Sequence, residues 1–203
     1  MALVQENRSS TLDAVAVMVT RLGDFTTQVF AGTVLTLLLL ACRQWRHGVF
    51  VGATLLCTAL VNTAGKWFFA RIRPDVLHEP LTTFSMPSGH SSASFAFFLA
   101  LAVLAGCRQP PRMRLTWFLL ASLPAASIAL SRVYLGVHWP TDILAGALLA
   151  TGVCALSVTL TQHRQKLETL PLRIWWLIVP ALVALLGFFA LRQLPDAILR
   201  YAY

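Results

Sequence analysis

Six long stretches without a charged residue dominate this sequence of 203 residues. They are Thr26–Cys42, Gly48–Gly65, Ser91–Gly106, Leu115–Leu130, Ile143–Gln162 and Ile174–Leu191. Each is close to the roughly 17–25 apolar residues that a transmembrane helix needs. Only 12% of all residues are charged, whereas soluble domains carry about 25%. This pattern predicts an all-α fold, a six-transmembrane-helix bundle.

Basic residues are concentrated between alternate apolar stretches. Three loops hold eight cations: Arg43, Arg46, Arg108, Arg112, Arg114, Arg164, Lys166 and Arg173. The two loops on the other side hold four: Lys66, Arg71, Arg73 and Arg132. By the positive-inside rule the richer side faces the cytoplasm, so the poorer side faces outward, into the periplasm if this is a bacterial inner-membrane protein. The formal net charge of +8 is not arranged as a basic stripe with interleaved aromatic residues, so no nucleic-acid partner is predicted.

A shorter apolar segment, Leu12–Leu22, precedes the first stretch and carries Asp13 and Arg21. It is too short to span a bilayer and is expected to form a short N-terminal interfacial helix. We therefore expect a single membrane-embedded domain over residues 1–203, with an interfacial segment at 1–24 and the six-helix core at 25–194. Since this topology places both termini outside, we hypothesise that the chain is one domain of a longer membrane polypeptide. The oligomeric state is not indicated.

Three polar motifs lie at the ends of the apolar stretches on the outward side. One is Pro87-Ser88-Gly89-His90, directly before the third stretch. Ser88 is a favoured N-cap residue, and Gly89 lets a ligand approach the backbone closely. Free N–H groups at a helix start attract anions. His90 is expected to project from the first helical turn toward such an anion.

A second motif contains Arg132, His138 and Asp142. Pro140 favours a helix start, which places Asp142 in the first turn, within reach of the His138 imidazole. A carboxylate on one ring nitrogen fixes the tautomer and leaves the other nitrogen as a nucleophile. The alternative is structural: Arg132 is then a snorkelling flank and Trp139 part of an aromatic belt.

The third motif places Lys66 near the outer end of the second stretch and Arg73 seven residues later. The planar fork of arginine suits phosphate oxygens, and lysine acts as a point charge. Arg71, between them, is interpreted as an ordinary interfacial cation. No Asp/Glu cluster suited to a metal ion is found, so neither a metal nor another cofactor is predicted. The three motifs together suit the binding and transfer of a phosphoryl group.

The motifs match, residue for residue, the signature KxxxxxxRP, PSGH and SRxxxxxHxxxD. The chain therefore resembles the type-2 phosphatidic acid phosphatase family, whose superfamily also contains vanadium-dependent haloperoxidases and bacterial nonspecific acid phosphatases. The resemblance covers about Gly48 to Leu160 and includes every defining position at the family spacing. The short loops and the Leu22-Gly23-Asp24 turn resemble the bacterial membrane-bound lipid phosphatase branch.

The resemblance implies a role for each motif residue. His138 would attack phosphorus and form a phosphohistidine, with Asp142 orienting its ring. His90 would protonate the leaving oxygen and then activate the water that releases phosphate. The remaining residues would bind the phosphate oxygens: Lys66, Arg73, Ser88, Gly89 and Arg132. The family requires no metal.

A site at the outer interface suits a lipid whose phosphate lies at headgroup depth. The predicted reaction is metal-independent hydrolysis of a lipid phosphate or pyrophosphate monoester. Undecaprenyl pyrophosphate is favoured because it is recycled on the outer face; phosphatidylglycerol phosphate, phosphatidic acid and lipid A phosphates are the other candidates. The loop at 75–86 is short, which leaves little material for a lid that selects head groups. Two alternatives are a lipid-to-lipid phosphotransferase and a non-enzymatic transporter or scramblase, and the intact motifs disfavour the second.

Overall fold

The structure, a computed structural model, describes residues 9–74 and 83–192. Within these ranges the chain forms seven α-helices and no β-strand, which confirms the predicted all-α fold. Most of the 75–86 loop lies outside the described residues. The helices are α1 (Ser10–Arg21), α2 (Phe25–Ala41), α3 (Trp45–Phe69), α4 (Gly89–Gly106), α5 (Pro111–Tyr134), α6 (Pro140–Gln162) and α7 (Leu172–Leu191).

Five of these helices, α3 to α7, are long and apolar enough to cross a membrane. Helix α2 has 17 residues and meets the same test only together with α1, from which it is bent by 43°. The described residues therefore contain five or six spans, in agreement with the predicted bundle. Large apolar side chains point away from the bundle, as expected for a surface in contact with lipid: Leu56, Leu60, Leu123, Leu148, Leu160 and Val183.

The helices extend beyond the uncharged stretches. Helix α3 begins at Trp45 rather than at Gly48, and α5 covers Pro111–Tyr134 rather than Leu115–Leu130. The predicted stretches left out charged residues by definition, but long basic side chains reach the interface while their backbone stays helical. As a result, Lys66 lies in the last turn of α3 and Arg132 in the last turn of α5.

The short N-terminal helix predicted at Leu12–Leu22 is found at Ser10–Arg21. It begins with a side-chain cap, because Ser9 Oγ accepts a hydrogen bond from the Leu12 N–H. Its buried face packs on the end of α5, where Tyr134 donates to Asp13 Oδ1 at 2.9 Å. Helix α1 therefore lies beside the turn that carries Arg132.

Helix α4 lies at the centre of the bundle and packs against α3, α5 and α6. A glycine permits its close approach to α6: a Cβ atom at position 146 would lie 2.7 Å from Ser88 O and 3.0 Å from Ser91 Cβ. The hydroxyl of Ser91 donates to Ile143 O at 2.7 Å across the same contact. This packing places the N-termini of α4 and α6 side by side at one end of the bundle.

Candidate active site

His138 lies in the turn between α5 and α6 and is 1% exposed. Its Nδ1 is 3.3 Å from Asp142 Oδ2, and its Nε2 is 3.1 Å from Arg73 Nη1. Since arginine only donates, Nε2 accepts and the ring proton is on Nδ1, directed to the carboxylate. The lone pair that can act as a nucleophile is therefore on Nε2, beside a guanidinium group.

The protonation state of His138 suits the same chemistry. Burial lowers its pKa to about 3, the hydrogen bond to Asp142 opposes this shift, and the positive charges of Arg132 and Arg73 add to it. The imidazole is therefore neutral around pH 7, as nucleophilic attack requires.

Asp142 is fully buried and is held at both carboxylate oxygens. Oδ2 accepts from the Trp139 backbone N–H at 2.9 Å, which caps the first turn of α6. Oδ1 pairs with Arg71 Nη1 at 3.0 Å, and the same guanidinium lies over the Trp139 ring at 5.4 Å. The interpretation of Arg71 as an ordinary interfacial cation is therefore wrong.

Arg73 is fixed by the segment that precedes α4. Its Nε donates to Thr83 O at 2.7 Å and its Nη2 to Thr83 Oγ1 at 2.9 Å, while Nη1 also donates to Val137 O at 3.0 Å. These bonds direct one edge of the guanidinium toward His138. Lys66 approaches the same segment, since its Nζ donates to Phe84 O at 2.7 Å.

Ser88 caps α4, as predicted, because its Oγ accepts from the Ser91 N–H at 3.5 Å. Its own N–H donates to Asp142 O at 3.0 Å, which joins the start of α4 to the start of α6. Gly89 is the first residue of α4, so its N–H has no acceptor within the helix. This helix start is consequently a ready position for an anion.

The second histidine has a partner that the motifs did not predict. Nε2 of His90 lies 2.9 Å from Oδ1 of Asp24, in the turn between α1 and α2. Nearby, the buried Arg132 donates from Nη1 to Thr20 Oγ1 at 3.0 Å. The only sequence signal for this carboxylate was the Leu22-Gly23-Asp24 turn, which had no assigned role.

All eight predicted site residues lie at one end of the bundle, at the ends of α3 and α5, at the starts of α4 and α6, and in the segments joining them. Hydrogen bonds connect Arg73, His138, Asp142 and Ser88 in one chain. Among the described residues no hydrogen bond joins His90 directly to His138.

Comparison with known proteins extends these observations. The pattern of the PAP2 superfamily matches residues 47–166. An undecaprenyl-diphosphatase of Sulfolobus acidocaldarius is 30% identical over 165 residues, which is 77% of this chain and 74% of that protein. Phosphatidylglycerophosphatase B of Bacillus subtilis is 35% identical over 92 residues, which is 43% of this chain and 44% of that protein.

Two crystal structures share the fold. A transmembrane PAP2-type phosphatidylglycerolphosphate phosphatase from Bacillus subtilis superposes with a TM-score of 0.68 at 24% identity, covering 81% of this chain and 83% of the other. Aquifex aeolicus LpxE superposes with a TM-score of 0.60 at 23% identity, covering 77% of this chain and 91% of the other. These likenesses show a shared fold, that is, a similar arrangement of the helices.

Proposed function

This chain belongs to the PAP2 superfamily, and on that premise we propose that it is a single membrane-embedded domain that hydrolyses a lipid phosphate or pyrophosphate monoester through a phosphohistidine at His138. One observation carries the proposal. The ring of His138 holds its proton toward Asp142 and presents Nε2 beside Arg73, at 3.3 Å and 3.1 Å respectively. A neutral nucleophile next to a cationic fork is what attack on a phosphate ester requires.

The reaction proceeds in two steps. Nε2 of His138 bonds to phosphorus while the lipid oxygen leaves with a proton from His90. A water molecule then gives a proton to His90, bonds to phosphorus and releases phosphate from His138. Five residues bind the phosphate oxygens during both steps, and all have donors at this end of the bundle: Lys66, Arg73, Arg132, the hydroxyl of Ser88 and the N–H of Gly89.

No metal ion is required in this proposal. Phosphoryl transfer depends mainly on positioning and on stabilising the charge of the phosphate oxygens. Three cationic side chains and the N-terminus of α4 supply that stabilisation. The carboxylate of Asp142 is already engaged by His138, Trp139 and Arg71, which leaves it poorly suited to a metal.

We propose that the site faces outward, into the periplasm of a bacterial cell with this protein in its inner membrane. The opposite end of the bundle contains a cleft of about 630 Å³ among the loops before α3, after α4 and after α6. Basic side chains outnumber acidic ones there: Arg43, Arg46, Arg108 and Lys166 line the cleft together with Glu168. Such a concentration of cations is typical of cytoplasmic loops.

Undecaprenyl pyrophosphate is the proposed substrate. The relative with this activity in its name aligns with 77% of the chain, whereas phosphatidylglycerophosphatase B and the lipid A 1-phosphatase of Rhizobium etli align with 43% and 49%. The helix ends that surround the site are bordered by lipid-facing side chains, among them Trp67, Phe68 and Ile72, so a polyprenyl tail can stay in the bilayer while its phosphate enters.

The experiment that tests this function combines phosphate release with trapping of the intermediate. The protein in detergent is incubated with undecaprenyl pyrophosphate and no acceptor lipid, and phosphate release is measured. A second sample is quenched in alkaline denaturant, in which phosphohistidine survives, and the phosphorylated peptide is located by mass spectrometry. We expect continuous phosphate release and a phosphoryl group on residue 138.

His138→Ala serves as the blank, and His163→Ala, at an exposed position after α6, is the matched histidine control. The control should retain full activity. Wild-type turnover in His138→Ala contradicts the nucleophile assignment, and phosphate transfer only in the presence of an acceptor lipid indicates a phosphotransferase. Faster cleavage of phosphatidylglycerol phosphate, phosphatidic acid or lipid A contradicts only the choice of substrate.

A further inference from the structure

His90 and Asp24 form a second histidine–carboxylate pair in the described site. The distance between His90 Nε2 and Asp24 Oδ1 is 2.9 Å, and their side chains are 19% and 39% exposed. The pair therefore lies at the accessible edge of the site, whereas His138 and Asp142 lie at its buried base. The two residues are 66 positions apart in sequence and meet through the packing of the α1–α2 turn on the first turn of α4.

The carboxylate of Asp24 does not cap the helix that follows it. Asp24 is the N-cap residue of α2, a position at which aspartate usually accepts hydrogen bonds from the first backbone N–H groups of the helix. Its side chain makes no such bond. The start of α2 therefore lacks a side-chain cap, and the carboxylate contacts the imidazole of His90 instead.

Several contacts hold the α1–α2 turn in this position. Thr27 Oγ1 donates to Arg21 O at 2.9 Å, and Gln28 Nε2 donates to Leu22 O at 2.7 Å. At Gly23 there is no room for a side chain, since a Cβ atom would lie 2.4 Å from Ile128 Cγ2 and 3.2 Å from His90 Cδ2. The turn is therefore pressed against both α5 and the ring of His90.

The contact also decides which nitrogen of His90 can exchange protons with a substrate. An ionised carboxylate only accepts hydrogen bonds, so Nε2 carries a proton and Nδ1 remains for the substrate. The same carboxylate stabilises the ring when Nδ1 is protonated as well. His138 is oriented the other way, with Nδ1 on its carboxylate and Nε2 toward the phosphate.

We propose that Asp24 is the positioning residue of His90, and that the α1–α2 turn is consequently part of the active site. This inference rests on the proposed function. In the first step, protonated Nδ1 of His90 gives its proton to the leaving lipid oxygen as the P–O bond breaks and the bond from phosphorus to His138 forms. In the second step, Nδ1 takes a proton from water as the water oxygen bonds to phosphorus and the P–N bond breaks.

The test compares Asp24→Asn with wild type on two leaving groups. The diacylglycerol of phosphatidic acid is a poor, alkoxide-type leaving group that needs the proton from His90, whereas the p-nitrophenolate of p-nitrophenyl phosphate leaves with little help. We expect kcat on phosphatidic acid to fall by about 10²-fold with little change in KM. The initial burst of p-nitrophenolate should be nearly unchanged, and phosphohistidine should accumulate because its hydrolysis still needs the base.

Asp13→Asn is the matched control, because Asp13 lies on α1, ahead of the turn that carries Asp24, and accepts a hydrogen bond from Tyr134. In this variant the ratio of kcat on phosphatidic acid to the rate of the p-nitrophenolate burst should equal that of wild type. In a double-mutant comparison, Asp24→Asn should add little to the loss in His90→Ala, since a positioning residue acts only through its partner. The proposal would be overturned if kcat on phosphatidic acid and the rate of the p-nitrophenolate burst fell equally, or if the losses in the double mutant were fully additive.

A measurement on the wild-type protein covers the case in which Asp24→Asn does not fold. Nitrogen-15 NMR of labelled histidine should show neutral His90 as the Nε2–H tautomer, opposite to His138, and the Nδ1–H tautomer would overturn the proposal. Failure of the proposed function and failure of the role of Asp24 give different results. Absence of phosphohistidine in wild type contradicts the proposed function, whereas phosphohistidine in wild type together with wild-type rates in Asp24→Asn contradicts only the role of Asp24.

Discussion

Arg71 Nη1 lies 3.0 Å from Oδ1 of Asp142, and this ion pair engages the one carboxylate oxygen that does not face His138. The carboxylate is fully buried, while the arginine side chain is 36% exposed and lies over Trp139. Asp142 thus accepts hydrogen bonds at both oxygens: Oδ2 accepts from His138 and from the Trp139 N–H, and Oδ1 accepts from Arg71. The orientation of the His138 ring depends on this complete arrangement.

Arg71→Ala is therefore expected to lower activity, although Arg71 is absent from the family signature. Without its partner, Oδ1 of Asp142 is left buried with fewer hydrogen bonds, and the carboxylate can turn away from Nδ1 of His138. Loss of a hydrogen-bond partner that orients a metal-binding ligand typically costs about 10–100-fold, and Arg71 orients Asp142 by the same kind of contact. We expect a loss of that size in kcat on a lipid phosphate, with a smaller change in KM, and Arg71→Lys should recover only part of it.

Arg112→Ala provides the control for the loss of a cation, because Arg112 is exposed near the start of α5, at the opposite end of the bundle. It should retain activity within about twofold of wild type, as surface substitutions usually have small effects. Wild-type kcat in Arg71→Ala would mean that the ion pair with Asp142 has no bearing on catalysis.

The tautomer and charge of His138 can be measured directly. Arg73 at Nε2 and Asp142 at Nδ1 specify the Nδ1–H form, and burial lowers the pKa of His138 to about 3. Protonation is thus expected only well below pH 5, whereas an unperturbed histidine becomes charged near pH 6.5. Nitrogen-15 NMR between pH 5 and 8 should show a neutral Nδ1–H ring, with the resonance assigned by its loss in His138→Gln. Titration near pH 6.5, or the other tautomer, would contradict the described geometry.

Much of the site was predictable from the sequence because its parts are local. Ser88 caps the helix that follows it, and Asp142 reaches His138 across four residues at a helix start. Both relationships depend on short spacing and on the chemistry of helix ends, which a sequence displays directly. The position of Lys66 at the end of an apolar stretch is local information of the same kind.

The contacts that escaped prediction join residues far apart in the chain. Asp24 meets His90 across 66 positions, and Arg71 meets Asp142 across 71. Neither pairing follows from spacing, since each depends on how helices pack against one another. Asp24 also looks locally like an ordinary N-cap, and Arg71 like one of several interfacial cations. The helix ends were underestimated for a related reason, because a charged residue does not end a helix at a membrane surface.

Activity in the presence of EDTA tests whether the cationic side chains are sufficient. Lys66, Arg73 and Arg132 would neutralise the phosphate oxygens without a metal, so full activity is expected after chelation of divalent ions. Phosphatidic acid is the better substrate for this measurement, because a pyrophosphate binds magnesium by itself. Strict dependence of the rate on added magnesium would contradict the proposed mechanism.

The close approach of α6 to α4 yields a final prediction about Gly146. A Cβ atom there would lie 2.7 Å from the backbone oxygen of Ser88, so Gly146→Ala must move the start of α4 away from the start of α6. Overpacking of this kind costs about 1–3 kcal/mol, which corresponds to a fall in melting temperature of at least about 2 °C. Activity should fall as well, by about tenfold or more, because the hydrogen bond from Ser88 N–H to Asp142 O joins the two motifs at this contact.

Gly152 offers a control on the same helix, since nothing lies within 4 Å of a Cβ atom at that position. Gly152→Ala adds the same methyl group without a clash, and alanine has the higher helix propensity. Its melting temperature in detergent should therefore equal or exceed that of wild type, and its kcat should stay within about twofold. If Gly146→Ala matched Gly152→Ala in both measurements, the contact between the starts of α4 and α6 could not be what positions the catalytic residues.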